Sequence, residues 1–474
     1  MTTLSIATIS GQTAFIPPEA LLTLKEGLRG SALAKDEDGY DMARSIWNGM
    51  VDRSPGLIVR CHGAADVMRS VDFARERDLV VAVRGGGHNI AGNAVCEGGL
   101  MIDLSPMNSV RVDPAIRRAW VGPGATLGDV DRETQAFGLA VPTGINSTTG
   151  ISGLTLGGGF GWLTRKYGLT IDNLVSADVV TADGRLLRAS AEENPDLFWA
   201  IRGGGGNFGI ATSFEFNLHP VGPEVLSGLV VHPFDQAGDM LRSYREAVTD
   251  APEELTCWVV MRRAPPLPFL PAEWHGREVL IFAMCYAGDL SEGERVTQKL
   301  RSLGNPIADV VGPHRFVDWQ AAFDPLLTTG ARNYWKSHDF ETLEDGALDL
   351  ITQAVRALPG NECELFIAHV GGAMSQIAPD ATAYPQRTAH FVMNVHTRWR
   401  ENKDDTACIA WARNLFRATE PFATGSAYVN FMPEDEADRI EKVYGANYPR
   451  LAQIKGRYDP RNMFRMNQNI RPAQ

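Results

Sequence analysis

The sequence lacks the features of a membrane-spanning or nucleic-acid-binding protein. No run of about 18 apolar residues occurs in its 474 residues, so no membrane span is expected. The net charge is -12, which is the wrong sign for binding nucleic acid or an anionic membrane surface. The start, "MTTLSIATISGQ", has no basic residue and only a short apolar stretch, which predicts no signal peptide. We therefore expect a cytoplasmic protein with no membrane or nucleic-acid partner.

Cysteine is scarce, and no pair is spaced like the ligands of a metal. The chain has six cysteines, and none of them forms a C-x-x-C motif. So few cysteines in so long a chain do not make a disulfide framework, which favours a reducing compartment. No metal site is predicted. The six are Cys61, Cys96, Cys257, Cys285, Cys363 and Cys408.

Glycine, by contrast, is concentrated in three clusters within about the first 210 residues, at 85–87, 157–161 and 203–206. No G-x-x-x-x-G-K-[ST] motif is present, which excludes a nucleotide-hydrolysing P-loop. A G-x-G-x-x-G match begins at Gly204, but the strand-like "IATSFEF" follows it where a dinucleotide-binding motif needs a helix. Glycine clusters beside apolar strands can be simple turns. Three of them together favour backbone amides that surround one large anionic ligand.

Periodicity divides the chain into two parts. Residues 64–78 and "TLGDVDRETQAFG" predict helices, "LVVAV" a buried strand, and "LVSADVVTADGRLLRASA" a hairpin that turns at Asp183-Gly184. From about residue 223 to residue 430 the glycine loops stop. There, strand-like runs such as "GREVLIFAMCYAG" alternate with helix-like runs such as "DGALDLITQAVRALPG", which is typical of a second α+β unit.

Four motifs, in order, give the chain a specific resemblance. They are "VAVRGGGHNIAGNAVCEGGLMIDLSPMNSV", "GISGLTLGGGFGWLTRKYGLTIDN", "NPDLFWAIRGGGGNFGI" and "YDPRNMFRMNQNI". Together they resemble the berberine-bridge-enzyme-like FAD-linked oxidoreductases of the vanillyl-alcohol-oxidase superfamily, in the bacterial branch that includes 6-hydroxy-D-nicotine oxidase. The resemblance implies an α+β fold: an FAD-binding domain of residues 1–222, completed by residues 430–474, and a substrate-binding domain of residues 223–429 with an antiparallel sheet.

The resemblance also implies the cofactor and its attachment. The cofactor would be FAD, and the histidine after the glycines, His88, would carry a covalent bond to the flavin. Taken alone, a histidine at this place is more often a hydrogen-bonding loop residue. The residues expected to hold FAD are Arg84, Gly85, Gly86, Gly87, His88, Asn89, Gly92, Pro142, Gly144, Asn146, Thr149, Gly150, Gly153, Gly157, Phe160, Gly209, Ile210, Asn467 and Asn469.

Two positions refine this expectation. Many members of the family carry a second flavin link through a cysteine, and Asn146 occupies that place here. No cysteine lies between Cys96 and Cys257, so a single bond to His88 is predicted. Thr149 stands close to where the family places a side chain beside the oxygen-reactive flavin face. A small residue there favours an oxidase that uses O2.

Candidates for the proton chemistry lie in the second unit. The best-known plant relatives use a glutamate as base, but the matching segment "RTAHFVMNVHTRW" has no acidic residue. Period-two alternation puts Asn394 and His396 on one face of a strand, as orienting donor and base. Tyr334 with Lys336, and Tyr428, are further candidates. Each could instead be an ordinary packed or hydrogen-bonded residue.

These inferences together predict an FAD-dependent oxidase. It would take a hydride from an alcohol, sugar-like or amine carbon of a small natural-product-type substrate and reduce O2 to H2O2. Two alternatives stay open. One is a dehydrogenase of the same fold with a quinone or protein acceptor, and the other is a flavin-binding protein without catalytic activity.

Overall fold

The computed structural model describes residues 3–473. Among these residues, no helix is both long and apolar enough to cross a bilayer. Up to residue 220 the elements are β1 (Leu4–Ala7), β2 (Thr13–Ile16), α1 (Pro18–Gly27), β3 (Ser31–Leu33), α2 (Tyr40–Arg44), β4 (Leu57–Arg60), α3 (Ala64–Glu76), β5 (Val81–Arg84), β6 (Leu100–Asp103), β7 (Val110–Asp113), β8 (Arg118–Val121), α4 (Leu127–Gln135), β9 (Leu139–Ala140), α5 (Ile151–Leu156), α6 (Thr164–Tyr167), β10 (Leu174–Val180), β11 (Leu186–Ser190), α7 (Pro195–Ile201), β12 (Ile210–Asn217) and β13 (His219–Pro220).

The remaining residues add one long run of strands and helices and then a helical tail. They form β14 (Glu224–Pro233), α8 (Ala237–Thr249), β15 (Leu255–Arg263), β16 (Glu278–Tyr286), α9 (Leu290–Arg301), β17 (Ala308–Asp309), β18 (Gly312–Arg315), α10 (Phe316–Gln320), β19 (Arg332–Phe340), α11 (Asp345–Val355), β20 (Glu364–His369), β21 (Phe391–Trp399), α12 (Asp405–Thr419), α13 (Ile440–Tyr444) and α14 (Tyr448–Tyr458).

A four-stranded sheet, in the order β3-β4-β6-β5, carries the first glycine loop. Strands β4 and β5 both pair with β6 in parallel. Parallel neighbours need a crossover, and α3 supplies it between β4 and β5. The helix buries Val67, Val71 and Ala74, the face that its periodicity predicts. Strand β5 is an edge strand of this sheet and ends at Arg84, where the loop 85–88 leaves.

A five-stranded antiparallel sheet, in the order β11-β10-β12-β8-β7, follows in the chain. The predicted hairpin joins β10 to β11, and Gly184 at its turn has a φ of +83°. Strand β12 comes directly after the third glycine cluster, as expected. This confirms that the G-x-G-x-x-G match is not followed by the helix that a dinucleotide-binding motif requires.

The middle of the chain forms an eight-stranded antiparallel sheet. Its order is β17-β14-β16-β15-β20-β21-β19, and β18 also pairs with β14. Helices α8, α9, α11 and α12 bury one face in a large apolar cluster that includes Leu280, Leu365 and Met393. Because side chains alternate along each strand, the intervening residues point to the opposite face. That opposite face carries Trp258, Phe366 and Asn394, which line the cavity described below.

The tail returns to the first part of the chain, as the sequence predicts. The Lys455 ammonium lies 2.6 Å from the Asp459 carboxylate and also donates to the Asn207 carbonyl at 2.7 Å. Both members of the pair are fully buried. Beyond α14, Met463 and Phe464 enter the apolar core of the four-stranded sheet. These contacts fix the tail against the third glycine cluster.

A buried joint connects α4 with α10. The Gln320 amide donates to the Asp131 carboxyl at 3.1 Å, and also to Thr143 Oγ1 and the Gly144 carbonyl. The second carboxyl oxygen of Asp131 has no partner. Burial raises the pKa of Asp131 to about 7, and the Gln320 hydrogen bond offsets only part of that effect.

This joint predicts a pH-dependent stability. The folded state holds the Asp131 proton more tightly than the unfolded state does. The free energy of unfolding should therefore fall as the pH rises from the ordinary carboxyl pKa near 4 through about 7. We expect Asp131→Asn to raise the free energy of unfolding at about pH 8 and to raise it much less at about pH 5. Urea unfolding followed by tryptophan fluorescence at both pH values measures this.

The exposed Asp250 provides the control for this measurement. Asp250→Asn should leave the free energy of unfolding nearly unchanged at both pH values, because that carboxyl is in water in both states. Equal effects of Asp131→Asn at the two pH values would contradict the assignment of a protonated carboxyl.

Candidate active site

A cavity of about 300 Å³ lies between the glycine loops and the open face of the eight-stranded sheet. A second cavity of about 130 Å³ adjoins it beside the third glycine cluster. The two share Val83, Gly85, Asn89, Gly153 and Asn467 in their walls, so together they form one groove. A separate cleft of about 240 Å³ has four arginines in its wall. Each of these is paired with an aspartate: Arg75 with Asp72, Arg185 with Asp183, Arg457 with Asp196, and Arg461 with Asp78.

The first glycine loop packs backbone to backbone on the start of α5. A Cβ on Gly86 would collide with the backbone of Gly150, and a Cβ on Gly150 would collide with the backbone of Gly86. Gly87 has a φ of +73°, a conformation that side chains other than glycine rarely adopt. Gly153, one turn into α5, differs because a Cβ there would meet nothing within 4 Å. Some glycines therefore close the two loops on each other, while Gly153 leaves open space in the groove.

His88 stands at the end of this loop, in the wall of the larger cavity. Its ring stacks on Trp47 with centroids 5.1 Å apart, and its Nε2 lies 3.0 Å from Thr148 Oγ1. The Thr148 hydroxyl in turn contacts Asn146 Oδ1 at 2.7 Å. Loss of hydration lowers the pKa of His88 to about 3. The imidazole is therefore neutral at ordinary pH, which is the form that can act as a nucleophile.

The segment 316–327 holds the loop that carries Asn146. Asp324 accepts a hydrogen bond from the Ser147 amide at 2.9 Å and another from the Ser147 hydroxyl. Phe323 and Leu327 of the same segment line the cavity. This segment of the second half of the chain thus contributes to the cavity wall and also fixes the loop beside His88.

Four residues in cross-strand register form a polar row along the cavity. Arg262 on β15 pairs with Glu364 on β20, Glu364 with His396 on β21, and His396 with Trp335 on β19. The Arg262 guanidinium lies 2.6 Å from one oxygen of Glu364, and His396 Nδ1 lies 3.1 Å from the other. All four side chains line the cavity.

Electrostatics keep the carboxyl of this row charged. Burial alone would raise the pKa of Glu364, but the Arg262 charge and the His396 hydrogen bond outweigh it and hold the pKa at about 2. Trp335 then links the row to the first glycine loop, since its ring lies edge-on to Trp47, with centroids 5.6 Å apart. Trp47 is the residue that stacks on His88. The polar row and His88 are therefore joined through two tryptophans.

The next row of the sheet is mostly apolar. Val260, Phe366 and Asn394 follow one another across β15, β20 and β21. Asn394 is fully buried, and neither atom of its amide has a partner. A buried amide is rarely left without partners. Since Asn394 also lines the cavity, its two free groups are suited to a bound ligand.

Tyr428 also lines the cavity and packs against Phe160 and Phe431. Its hydroxyl oxygen accepts from the Gly159 amide at 3.0 Å and from the Asn430 amide at 2.8 Å. Burial raises its pKa to about 12. With two bonds accepted, the hydroxyl keeps its own proton free to donate. Aromatic side chains make up much of the remaining wall: Phe160, Trp162, Trp258, Phe323, Phe366 and Phe431.

Most of the residues predicted to hold FAD lie in the walls of this groove. Those in the larger cavity are Gly85, Gly86, Gly87, His88, Asn89, Gly144, Asn146, Thr149, Gly150, Gly153, Phe160 and Asn467. The smaller cavity adds Gly157, Gly209 and Ile210. Three of the five catalytic candidates, Asn394, His396 and Tyr428, also line the larger cavity.

Four predicted cofactor residues lie outside both cavities. Arg84 donates to the carbonyl of Ala43. Gly92 forms a tight turn whose amide bonds to the Asn89 carbonyl at 3.0 Å. The carbonyl of Pro142 accepts from Thr170, and Asn469 lies beyond the part of the tail that reaches the groove.

The structure places Tyr334 and Lys336 outside the two cavities of the groove. Strand alternation turns both residues to the helix-covered face of the sheet, and their neighbour Trp335 takes the cavity face. The Tyr334 hydroxyl donates to Asp435 at 2.8 Å, and Lys336 pairs with Asp435 and Glu436 at 3.1 and 2.7 Å. Both side chains are committed to this ion-pair network.

Sequence reasoning missed Arg262, Glu364, Trp47 and Trp335. Strand β21 has no carboxylate, but β20 places Glu364 directly opposite His396. Period-two alternation in "NECELF" places Glu364 on the same face of the strand as Phe366. It does not indicate that β20 neighbours β21, because that pairing depends on the sheet order.

The groove fits a long ligand such as FAD. Gly153 leaves room beside α5, and the groove extends from His88 to the third glycine cluster. Asn394 presents an unpaired amide to it. Within residues 3–473, no group of three His, Cys, Asp or Glu side chains is arranged to hold a metal ion.

Comparison with known proteins agrees with this geometry. Residues 55–190 match a family model described as an FAD binding domain, and residues 427–471 match one described as berberine and berberine like. An FAD-linked oxidoreductase of Dictyostelium discoideum is 31% identical over 95% of this chain and 96% of its own length. The (R)-6-hydroxynicotine oxidase of Paenarthrobacter nicotinovorans is 30% identical over 94% and 97%.

A solved structure shares the whole architecture. The crystal structure of 6-hydroxy-D-nicotine oxidase from Arthrobacter nicotinovorans superposes with a TM-score of 0.84 at 29% identity, over 94% of this chain and 98% of that one. The fold is thus the two-domain α+β fold of such FAD oxidases, and these relatives are enzymes. On this sequence identity and coverage, the chain belongs to the berberine-bridge-enzyme-like FAD-linked oxidoreductases of the vanillyl-alcohol-oxidase superfamily.

Proposed function

We propose that the protein is an FAD-dependent oxidase whose FAD is attached by one covalent bond to His88. The observation that carries this proposal is the neutral His88 imidazole, fixed against Trp47 where the first glycine loop meets the cavity. The substrate would be a small natural-product-type molecule that is oxidised at an alcohol, sugar-like or amine carbon. When bound, FAD would supply hydride acceptance and transfer of the electrons to O2, which gives H2O2.

We also propose a division of the chain into two domains. Residues 1–222 with 430–474 form the FAD-binding domain, and residues 223–429 form the substrate-binding domain. The mixed four-stranded sheet and the glycine loops in the first unit support this division, as does the eight-stranded sheet in the second. The return of Met463 and Phe464 to the first unit supports the discontinuous boundary. The six free cysteines support a reducing compartment, the cytoplasm.

Only one flavin link is proposed, because Asn146 stands where a second link would need a thiolate. Its amide oxygen accepts from the Thr148 amide and hydroxyl. Asn146 therefore fixes the residue that contacts His88 and adds no bond of its own. Thr149, beside it in the cavity wall, is small and leaves room for O2.

On the substrate side, His396 is the proposed proton acceptor and Asn394 the orienting donor. An alcohol must lose its hydroxyl proton as the hydride leaves, so a base is needed in the cavity. His396 lines the cavity and has Glu364 behind its Nδ1. The free hydroxyl proton of Tyr428 offers a second donor. The aromatic wall favours a substrate with an apolar ring.

Replacing His88 tests the covalent attachment. His88→Ala should still bind FAD but release all of it in acid, whereas the unmodified protein should keep its flavin. Intact-protein mass spectrometry and absorbance of the acid precipitate measure this. The matched control is His62→Ala, at an exposed histidine, which should keep the covalent flavin. Flavin that stays bound to the His88→Ala chain in acid would refute the attachment site.

Gly153 tests whether the groove holds the cofactor. In Gly153→Leu the side chain would extend into open space, so folding should survive while FAD content falls at least about tenfold. Gly63→Ala is the control, since a Cβ there also meets nothing but lies outside the groove. Absorbance per protein and circular dichroism report both effects. Full FAD content in folded Gly153→Leu would contradict this placement.

Reaction with air separates an oxidase from a dehydrogenase. Photoreduced enzyme mixed with air should recover its oxidised flavin absorbance within seconds and produce stoichiometric H2O2. Persistence of the reduced spectrum for many minutes would point to a dehydrogenase with a quinone or protein acceptor. A separate anaerobic panel of alcohols, sugars and amines tests for catalysis. A flavin that none of them reduces would point to a binding protein.

A further inference from the structure

We propose that Glu364 is a positioning residue of this reaction: through its ion pair with Arg262 it holds His396 with a proton on Nδ1, so that Nε2 can take the proton of a substrate hydroxyl. The inference rests on the proposed function, because it explains how His396 could act as the base. Its evidence is the hydrogen-bond geometry of the polar row in the cavity wall.

The contacts of His396 define its tautomer. A carboxylate can only accept a hydrogen bond, so the 3.1 Å contact with Glu364 Oε1 requires a proton on Nδ1. In the neutral ring, Nε2 then carries the lone pair. Among residues 3–473, the one polar partner of Nε2 is Asn333 Oδ1, at a long 3.4 Å. Nε2 is thus the nitrogen that can accept a proton.

The same surroundings stabilise the protonated product. Once Nε2 has gained a proton, Asn333 Oδ1 can accept a hydrogen bond from it while Glu364 still accepts from Nδ1. The Asn333 amide group already donates to the Ala331 carbonyl at 2.8 Å, which turns its oxygen toward His396. The substrate O–H bond would break and its proton would move to Nε2, while bound FAD would accept the hydride of the adjacent carbon. Proton and hydride are both accounted for.

The energetics of the row favour a functional role over a structural one. Arg262 and Glu364 are both largely removed from water, and a buried ion pair of this kind contributes little stability relative to packed apolar residues. Two apolar side chains could occupy the positions of Arg262 and Glu364, as they do in the adjacent Val260–Phe366 pair. The ion pair instead stands where His396 needs an acceptor behind it.

A control pair begins at the next residue of β15 and reaches the strand on its other side. Arg263 pairs with Glu278 at 3.2 Å across β15 and β16, outside the cavity. It is also a cross-strand arginine–glutamate pair, but it has no histidine contact. Glu278→Gln therefore tests the loss of such a pair without disturbing His396.

The experiment has a structural readout that needs no substrate. In holoenzyme with ¹⁵N-labelled histidine, His396 is assigned from its absence in His396→Asn. Its Nδ1 should be protonated and its Nε2 unprotonated. In the double variant Arg262→Met with Glu364→Leu, which removes both charges together, that preference should be lost or reversed. Glu278→Gln should keep it. A wild-type His396 with its proton on Nε2 would overturn the proposal.

The kinetic readout uses anaerobic flavin reduction by 1-phenylethanol and 1-phenylethylamine. Glu364→Gln keeps a hydrogen-bond acceptor without the charge. It should lower the limiting rate constant of flavin reduction by the alcohol about 10- to 100-fold and change the apparent Kd of the alcohol less than about threefold. The neutral amine has no hydroxyl proton to lose and should slow by less than about threefold. Equal slowing of both compounds, or none, would overturn the positioning role.

Failure of the proposed function is distinguishable from failure of this inference. If neither these compounds nor any other alcohol, sugar or amine reduces the wild-type flavin, the proposed oxidation fails. The histidine tautomer still decides whether Glu364 holds His396. If the wild type is reduced and the Arg262→Met, Glu364→Leu double variant remains as fast, the oxidation stands and the role of Glu364 is refuted.

Discussion

The site depends on one close approach, the contact between the backbones of Gly86 and Gly150. Neither position can carry a Cβ without collision, so the first glycine loop and the start of α5 meet only because both residues are glycine. This contact sets where His88 leaves the loop and where Asn146 and Thr148 stand beside it. The expected use of the glycines, to bring backbone near a ligand, applies best to Gly153, where the space is open.

The second constraint is the order of strands in the eight-stranded sheet. Because β15, β20, β21 and β19 lie side by side, residues from four distant sequence segments form one polar row. An arginine, a carboxylate, a histidine and a tryptophan thereby share one face of the cavity. On the other face the same alternation sends Tyr334 into the ion-pair network with Asp435.

Local patterns in the sequence were enough for much of the fold and for the first loop. The 3.6-residue period located α3, the Asp183-Gly184 turn located a hairpin, and four ordered motifs indicated the family. The residues on the substrate side of the cavity were harder to predict. Alternation correctly grouped Asn394 with His396, but whether a strand's odd or even residues face the cavity is a tertiary property. For β19 the sequence offered Tyr334, while the structure turns Trp335 inward. Glu364 was missed because cross-strand register cannot be deduced from one strand.

The tryptophans of the cavity have an optical consequence. Trp47, Trp162, Trp258 and Trp335 all line the space in which the ligand would sit. Indole emission overlaps the near-ultraviolet absorption of an isoalloxazine, and at such short range the excitation energy would pass to the ring. Tryptophan emission in the near ultraviolet would therefore be weak in the loaded protein and would increase as the groove empties, so it reports occupancy without any added dye.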